Sequence, residues 1–257
     1  MRNEAIYGAI AGDVIGSSYE FKGARFEPVK LFKYDCQYTD DTVLTLAITD
    51  WLTEPNSDVT EKLQTWARAF PHIGFGPSFL RWIAQSNPQP YNSCGNGSAM
   101  RVSAVGCFAN TDDDVMELAK ASALPTHNHP EGIKGAQATA LSIFLARTGH
   151  TKNEIREIVS NKFNYNLNRS FEELYCDDYK FHVLCQNTVP EALICFLHST
   201  DYEDCIIKAM LTNKDTDTAA CIAGSIAAAY YGMPEKIKEQ LCDYLPETFI
   251  NIIERIT

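Results

Sequence analysis

Two short stretches of the chain share an unusual construction. Thr39-Asp40-Asp41-Thr42 runs straight into the apolar VLTLAI, and Asp215-Thr216-Asp217-Thr218 runs straight into AACIAGSIAAA. Each places two carboxylates and neighbouring hydroxyls at the start of a helix whose body is apolar or built of very small residues. N-capping explains one Asp or Thr per helix, because a cap oxygen satisfies an orphan N–H and the positive end of the helix dipole favours an acid. It does not explain four consecutive oxygen side chains, twice. Adjacent carboxylates repel, and the repulsion grows as the following helix is buried; a divalent cation removes it. Donors that are all oxygen select a hard ion, Mg2+, Mn2+ or Ca2+, over zinc.

A third segment, Ser93-Cys94-Gly95-Asn96-Gly97-Ser98-Ala99-Met100-Arg101, is glycine-rich. A dinucleotide fingerprint would need Gly in place of Met100 and a strand before it, so that reading fails. What remains is a turn whose N–H groups can face an anion, followed by an arginine. No acid lies between Glu61 and Asp112, whereas Lys62, Arg68, Arg81 and Arg101 do. In a chain of net charge −11, that makes the stretch a candidate phosphate or diphosphate contact. Thr126-His127-Asn128-His129-Pro130-Glu131 supplies imidazoles suited to hydrogen bonding or stacking at a site edge; as a zinc half-site it lacks further ligands nearby. Glu20 lies just past a glycine-flanked helix end (Gly12-Asp13-Val14-Ile15-Gly16), where a loop could hold it over a pocket.

Competing metal motifs are missing. There is no HExxH, and Asp112-Asp113-Asp114 lacks the Gly and Glu of an EF-hand loop and reads as a solvated helix start. A prenyl-diphosphate enzyme would carry D-D-x-x-D, but the third residue after Asp41 is Leu44.

The elements that must position these groups are helical. Of the 257 residues 45% are apolar and 21% charged, which excludes disorder and fibrous repeats. The acid excess argues against a general nucleic-acid binder. Helical periodicity predicts helices over Glu4–Ile15, Val43–Leu52, Asp58–Phe70, Asp113–Leu124, Gly132–Arg147, Asp201–Leu211, Thr218–Tyr231, Pro234–Tyr244 and Glu247–Ile256. Capping boxes at Thr151/Glu154, Ser170/Glu173 and Thr188/Glu191 mark three further starts. Gly8, Gly12 and Gly16 form one flat stripe on the first helix. Only Arg25–Tyr34 has strand character, and Pro28 confines it to an edge. The expectation is one all-α domain spanning residues 1–257.

The opening MRNEAIYGAIAGDVIG contains Glu4 and Asp13 and does not read as a secretory signal. The longest uncharged run, Thr218–Pro234, reads as a buried helix and not a membrane span. Nine cysteines with no C-x-x-C pair point to small buried hydrophobes and a reducing, cytoplasmic home.

Taken in order, GDVIGSSYEF, YTDDTVLTLA, PYNSCGNGSAMRVSAVG, THNHPEG and DTDTAACIAGSIAAA resemble the motifs of the ADP-ribosylglycohydrolase family, which includes the dinitrogenase-reductase-activating glycohydrolases. The resemblance runs essentially end to end. It implies a compact all-α fold with two Mg2+ or Mn2+ ions at the base of a cleft that binds ADP-ribose. It also implies a hydrolase cleaving at the anomeric carbon of the distal ribose. The implied substrate is an ADP-ribosylated protein or a small ADP-ribose conjugate, with nucleic acid only as a modified acceptor.

Carried over by position, the resemblance makes Thr39, Asp40, Asp41, Asp215, Asp217 and Thr218 metal ligands. Glu20, Asp41 and Asp217 become the catalytic acids, and Asn96, Gly97, Ser98, Met100, Arg101, His127 and His129 the substrate-lining residues. The chain departs from the pattern in two places. Arginine-directed bacterial members carry an additional acid ahead of the glycine motif, where this chain has none, and Ala104 stands where many relatives have Pro. The first departure bears on an arginine linkage and leaves the metals untouched. Two other readings are a non-catalytic ADP-ribose-binding or structural protein on the same fold, and a metal hydrolase attacking the diphosphate. Retention of every acidic ligand argues against the former.

Overall fold

Three glycines spaced four apart decide how the first helix meets a helix two hundred residues later. In the structure, a computed structural model that describes residues 3–26 and 28–256, α1 (Glu4–Ser17) lies antiparallel against α13 (Thr216–Tyr231). A Cβ at Gly8 would lie 2.5 Å from the Gly224 carbonyl oxygen, one at Gly12 2.2 Å from that of Ala220, and one at Gly16 2.5 Å from that of Thr216. The helices therefore touch backbone to backbone. This seam sets the end of α1, with Asp13 and the following Glu20 loop, beside the start of α13, with Asp215, Asp217 and Thr218.

Between these two run α2 (Asp40–Thr53), α3 (Val59–Ala69), α4 (Pro77–Ile83), α5 (Gly97–Met100), α6 (Ser103–Phe108) and α7 (Asp112–Ala123). They are followed by α8 (Pro130–Arg147), α9 (Lys152–Phe163), α10 (Phe171–Cys176), α11 (Cys185–Leu197) and α12 (Tyr202–Thr212). Past α13, α14 (Glu235–Cys242) and α15 (Glu247–Ile253) close the chain. Helix α2 is buried continuously from Asp41 to Thr49, as a helix apolar almost all round must be. It lies against α1, α3, α6 and α15. Helices α8, α11 and α12 pack around α13.

The architecture is all-α: among the described residues there is no strand, only one isolated antiparallel bridge between Gly95 and Leu184. The stretch Arg25–Tyr34 takes turns and irregular backbone in place of the expected strand, with Glu27 outside the described residues. The capping boxes at Thr151/Glu154 and Ser170/Glu173 form, and an additional one forms at Thr111/Asp114 in the solvated acidic run. Thr188/Glu191 is not a cap. Helix α11 begins earlier, at Cys185, because Thr188 and Glu191 are engaged by the preceding segment: the Thr188 hydroxyl donates to the His182 carbonyl, and Glu191 meets the His182 ring. The short helices α4, α5 and α6 fall below the length at which periodicity is readable.

Because the seam leaves no room for a methyl group, Gly12→Ala is expected to destabilise the protein by about 2–3 kcal/mol in urea unfolding. Gly76→Ala, where a Cβ meets nothing within 4 Å, is the control and is expected to change little. Equal stability of the two variants would contradict the backbone-contact reading.

Candidate functional site

The group that organises the site is one the motifs did not single out. Asp13, wholly buried on α1, serves as an external cap for α2. Its Oδ2 accepts the N–H groups of Thr39 (2.9 Å) and Thr42 (3.1 Å) together with the Thr42 hydroxyl, and its Oδ1 accepts the Thr39 hydroxyl at 2.7 Å. These bonds fix the start of α2 against the α1–α13 seam. Across it, the Thr218 hydroxyl of α13 donates to Asp41 Oδ2 at 3.4 Å, and the Thr216 hydroxyl donates to the Gly16 carbonyl at 2.7 Å. The visible clue to Asp13 was an acid placed mid-helix among glycine and apolar residues, a position a solvated carboxylate does not take.

Carboxylate oxygens of Asp13, Asp41 and Asp217 all lie within 4.8 Å of one another, as do those of Glu20, Asp215 and Asp217. The two triads share Asp217. Asp215 is held for this by Asn96, whose amide donates to its Oδ2 at 2.6 Å, and by Asn213, whose side-chain oxygen accepts its N–H at 3.0 Å. Asp40 lines the same cavity but belongs to neither triad.

Burial pushes every one of these acids up. Asp13 and Asp215 rise to about 6 even though their hydrogen bonds pull the other way. Glu20 rises to about 7 and Asp40 to about 8, through burial and the neighbouring acids. Asp41 and Asp217 stand well above the ordinary range for the same reasons. None of the principal influences on the six is a lysine or arginine. Asp41 Oδ1 is buried without a hydrogen-bond partner. An all-oxygen donor set, unbalanced by protein cations and with an unused lone pair at its centre, fits hard divalent ions.

Five of the six acids, all but Asp13, form the floor of a cleft of about 710 Å3. One wall is the glycine-rich turn. Asn96, Gly97, Met100, Arg101 and His127 all line the cavity. Ser98 does not: it is buried, and its hydroxyl donates to the Gly132 carbonyl at 2.7 Å, stitching the turn to α8. His129 also stays out of the cavity, because its Nδ1 accepts the Glu131 N–H and caps α8. Thr39 is engaged with Asp13 and lines no part of the cleft.

Arg101 is fully buried, and its Nη2 donates to the Ser122 carbonyl and the Thr126 hydroxyl. Its Nε and Nη1 have no partner. The Thr126 oxygen, accepting from Arg101, is 2.7 Å from His127 Nδ1. With the Thr126 hydroxyl donating to Nδ1, the neutral ring carries its proton on Nε2, as a donor. Burial, and then the charge of Arg101, hold His127 well below the usual histidine range, in keeping with that assignment. The wall thus offers a positive field and a donor to an anion, opposite a floor that repels one until cations are present.

The sequence model of the ADP-ribosylglycohydrolase family matches residues 3–257. The chain is 25% identical over 323 residues to ADP-ribosylhydrolase ARH3 of Homo sapiens, covering 95% of this chain and 89% of that protein. It is 24% identical over 255 residues to the ADP-ribosyl-[dinitrogen reductase] glycohydrolase of Rhodospirillum rubrum, covering 90% and 85%. A solved structure titled ADP-ribosylglycohydrolase-related protein complex shares the fold, with a TM-score of 0.79 at 22% identity, over 99% of this chain and 96% of that one. With a family match that reaches from the third residue to the last, the chain belongs to the ADP-ribosylglycohydrolase family, a family of glycosyl hydrolases.

Proposed function

We propose that the protein is a metal-dependent hydrolase that removes ADP-ribose from a modified acceptor by cleaving the bond at the anomeric carbon of the distal ribose. The observation that carries this reading is the pair of carboxylate triads sharing Asp217 on the floor of a cleft whose wall can receive an anion. The relatives named for ADP-ribose removal support the substrate class. The substrate is an ADP-ribosylated protein or a small ADP-ribose conjugate. The nine cysteines, all free thiols, suit a cytoplasmic enzyme, and no helix of the described residues is long and apolar enough to cross a membrane. One core cluster reaching from Ala5 to Ile256 supports reading the chain as a single domain.

Asp13, Asp41 and Asp217 would hold one cation and Glu20, Asp215 and Asp217 the other, Mg2+ or Mn2+ by donor type, with Thr218 and Asp40 at the margins. Bound there, such ions supply Lewis acidity toward ribose hydroxyls and water and offset the buried negative charge. The chain's own groups do the rest. His127 Nε2 and the Arg101 field bind and orient the diphosphate, with Gly97 leaving room for the imidazole, whose Nε2 is 3.2 Å from where a Cβ would stand. Glu20, half-buried beside the other acids, accepts a proton from the attacking water. Water attacks as the ribosyl bond loosens through an oxocarbenium-like state, and the departing acceptor takes the proton that Glu20 received. Thr39 acts through Asp13, holding its carboxylate in register.

Asp217→Asn and Asp41→Asn are expected to lower kcat/KM on an ADP-ribosylated peptide by at least about 100-fold with an unchanged circular dichroism spectrum. Chelation should abolish wild-type turnover, and the released product should be ADP-ribose. Full activity in chelator would refute the metal mechanism, AMP as product would place the attack at phosphorus, and tight ADP-ribose binding with no conjugate cleaved would favour the non-catalytic reading.

The raised carboxylates also set a sign for stability. Without metal, each binds more protons folded than unfolded once the pH exceeds its ordinary value near 3.8 to 4.5, so stability is lost as pH rises through the folded values of about 6 for Asp13 and Asp215, 7 for Glu20 and 8 for Asp40. The melting temperature in chelator should fall between about pH 5 and 8, and saturating Mg2+ should remove the decline. A melting temperature that rises across that range in chelator, or that ignores Mg2+, would contradict the assignment.

A further inference from the structure

Residues 179–185, between α10 and α11, belong to no motif and contribute no acid to the floor, yet three sides of the cleft are tied to them. Toward the Glu20 loop, the Tyr179 hydroxyl accepts the Ala24 N–H at 2.7 Å and donates to the Met210 carbonyl at 2.7 Å. The Phe181 ring stacks on Phe21, with centroids 4.9 Å apart and planes 17° from parallel. Phe21 directly follows Glu20 and has φ 63°, a left-handed conformation that a bulky residue keeps only when its surroundings impose it. Its N–H donates to the Lys214 carbonyl at 3.0 Å.

Toward α13, the Lys214 N–H donates to the Lys180 carbonyl at 3.0 Å. The Asn213 side chain accepts the His182 N–H and donates to the His182 carbonyl, while the same oxygen accepts the Asp215 N–H. Toward the glycine-rich turn, the Asn96 N–H donates to the Val183 carbonyl at 2.8 Å, and the Cys185 N–H to the Cys94 carbonyl at 3.0 Å. The His182 ring, 2.7 Å from Glu191 Oε1, fastens the segment to α11.

The two triads stand differently toward this segment. Asp13 and Asp41 are fixed by the glycine seam and by the bonds of Asp13 to the start of α2. Glu20 and Asp215 lie on the two pieces of chain that residues 179–185 hold together, and Asp217 is common to both triads. We propose that residues 179–185 are a strap that assembles the Glu20–Asp215–Asp217 cation site, with Tyr179 and Phe181 as positioning residues, while the Asp13–Asp41–Asp217 site forms without them. This rests on the two-cation reading above.

The test is a Mn2+ titration of the chelator-stripped full-length protein, by calorimetry or electron paramagnetic resonance. Glu20→Gln and Asp41→Asn identify which step belongs to which site. Wild type should show two steps. In Tyr179→Phe and Phe181→Ala the step that Glu20→Gln weakens should weaken by about 10–100-fold, with the other step unmoved; kcat should fall more than KM changes. Phe181→Trp, which keeps an aromatic face on Phe21, should restore both. Equal weakening of the two steps, or two wild-type steps in a variant with a lowered melting temperature, would reduce the strap to a structural element and overturn the proposal. A wild-type protein that takes up no Mn2+ would refute the two-cation reading instead.

Discussion

Six carboxylates converge at one cleft, five lining it and Asp13 buried beside Asp41, four of them nearly inaccessible to solvent and none with a lysine or arginine among its principal influences. Removing a charge from water costs several kcal/mol even after relaxation, and setting like charges together adds to it. A protein keeps such an arrangement only where something compensates, and the acids' raised affinity for protons shows what they lack. Protons satisfy that demand at low pH; divalent cations, which these acid groups could hold, would satisfy it at neutral pH. The rest of the molecule is arranged to hold these oxygens in place against their repulsion.

Two devices do the holding. Along the α1–α13 seam, glycines let carbonyl oxygens occupy the space a methyl group would need, so the acids on α1 and α13 share one register. At the start of α2, Asp13 takes over the capping of another helix, which leaves Asp41 free to turn an unpartnered oxygen into the cluster. A buried acid used as both a cap and a cluster member is costly to replace, since its loss would unfasten α2 as well as remove a charge. The wall opposite is built on the reverse principle. Arg101 is buried with two unpartnered nitrogens and is joined through Thr126 to His127, so a positive field faces the space above the acids.

Much of this was legible in the chain. The paired TDDT and DTDT segments pointed to the acid cluster because oxygen side chains in such density exceed what capping needs, and the glycine stripe announced a close helix contact. Asp13 was harder to read: its sequence neighbours are apolar, and its partners lie 26 and 29 residues away. Ser98 and His129 illustrate the opposite error. Both occur inside functional motifs, but one hydroxyl is used to stitch the turn to α8 and one imidazole to cap that helix, and spacing alone does not show which way a side chain turns. Thr188 and Glu191 have the spacing of a capping box, yet tertiary bonds to His182 claimed both. The segment 179–185 left no signal at all, because its ties run largely through backbone groups that every residue type carries.

The account turns on whether the shared Asp217 stands between two cations. Anomalous diffraction from crystals grown with Mn2+ measures this directly. Two peaks are expected, one among the Asp13, Asp41 and Asp217 oxygens and one among those of Glu20, Asp215 and Asp217. Maps with no peak at Asp217 while Mn2+ is bound elsewhere would contradict it.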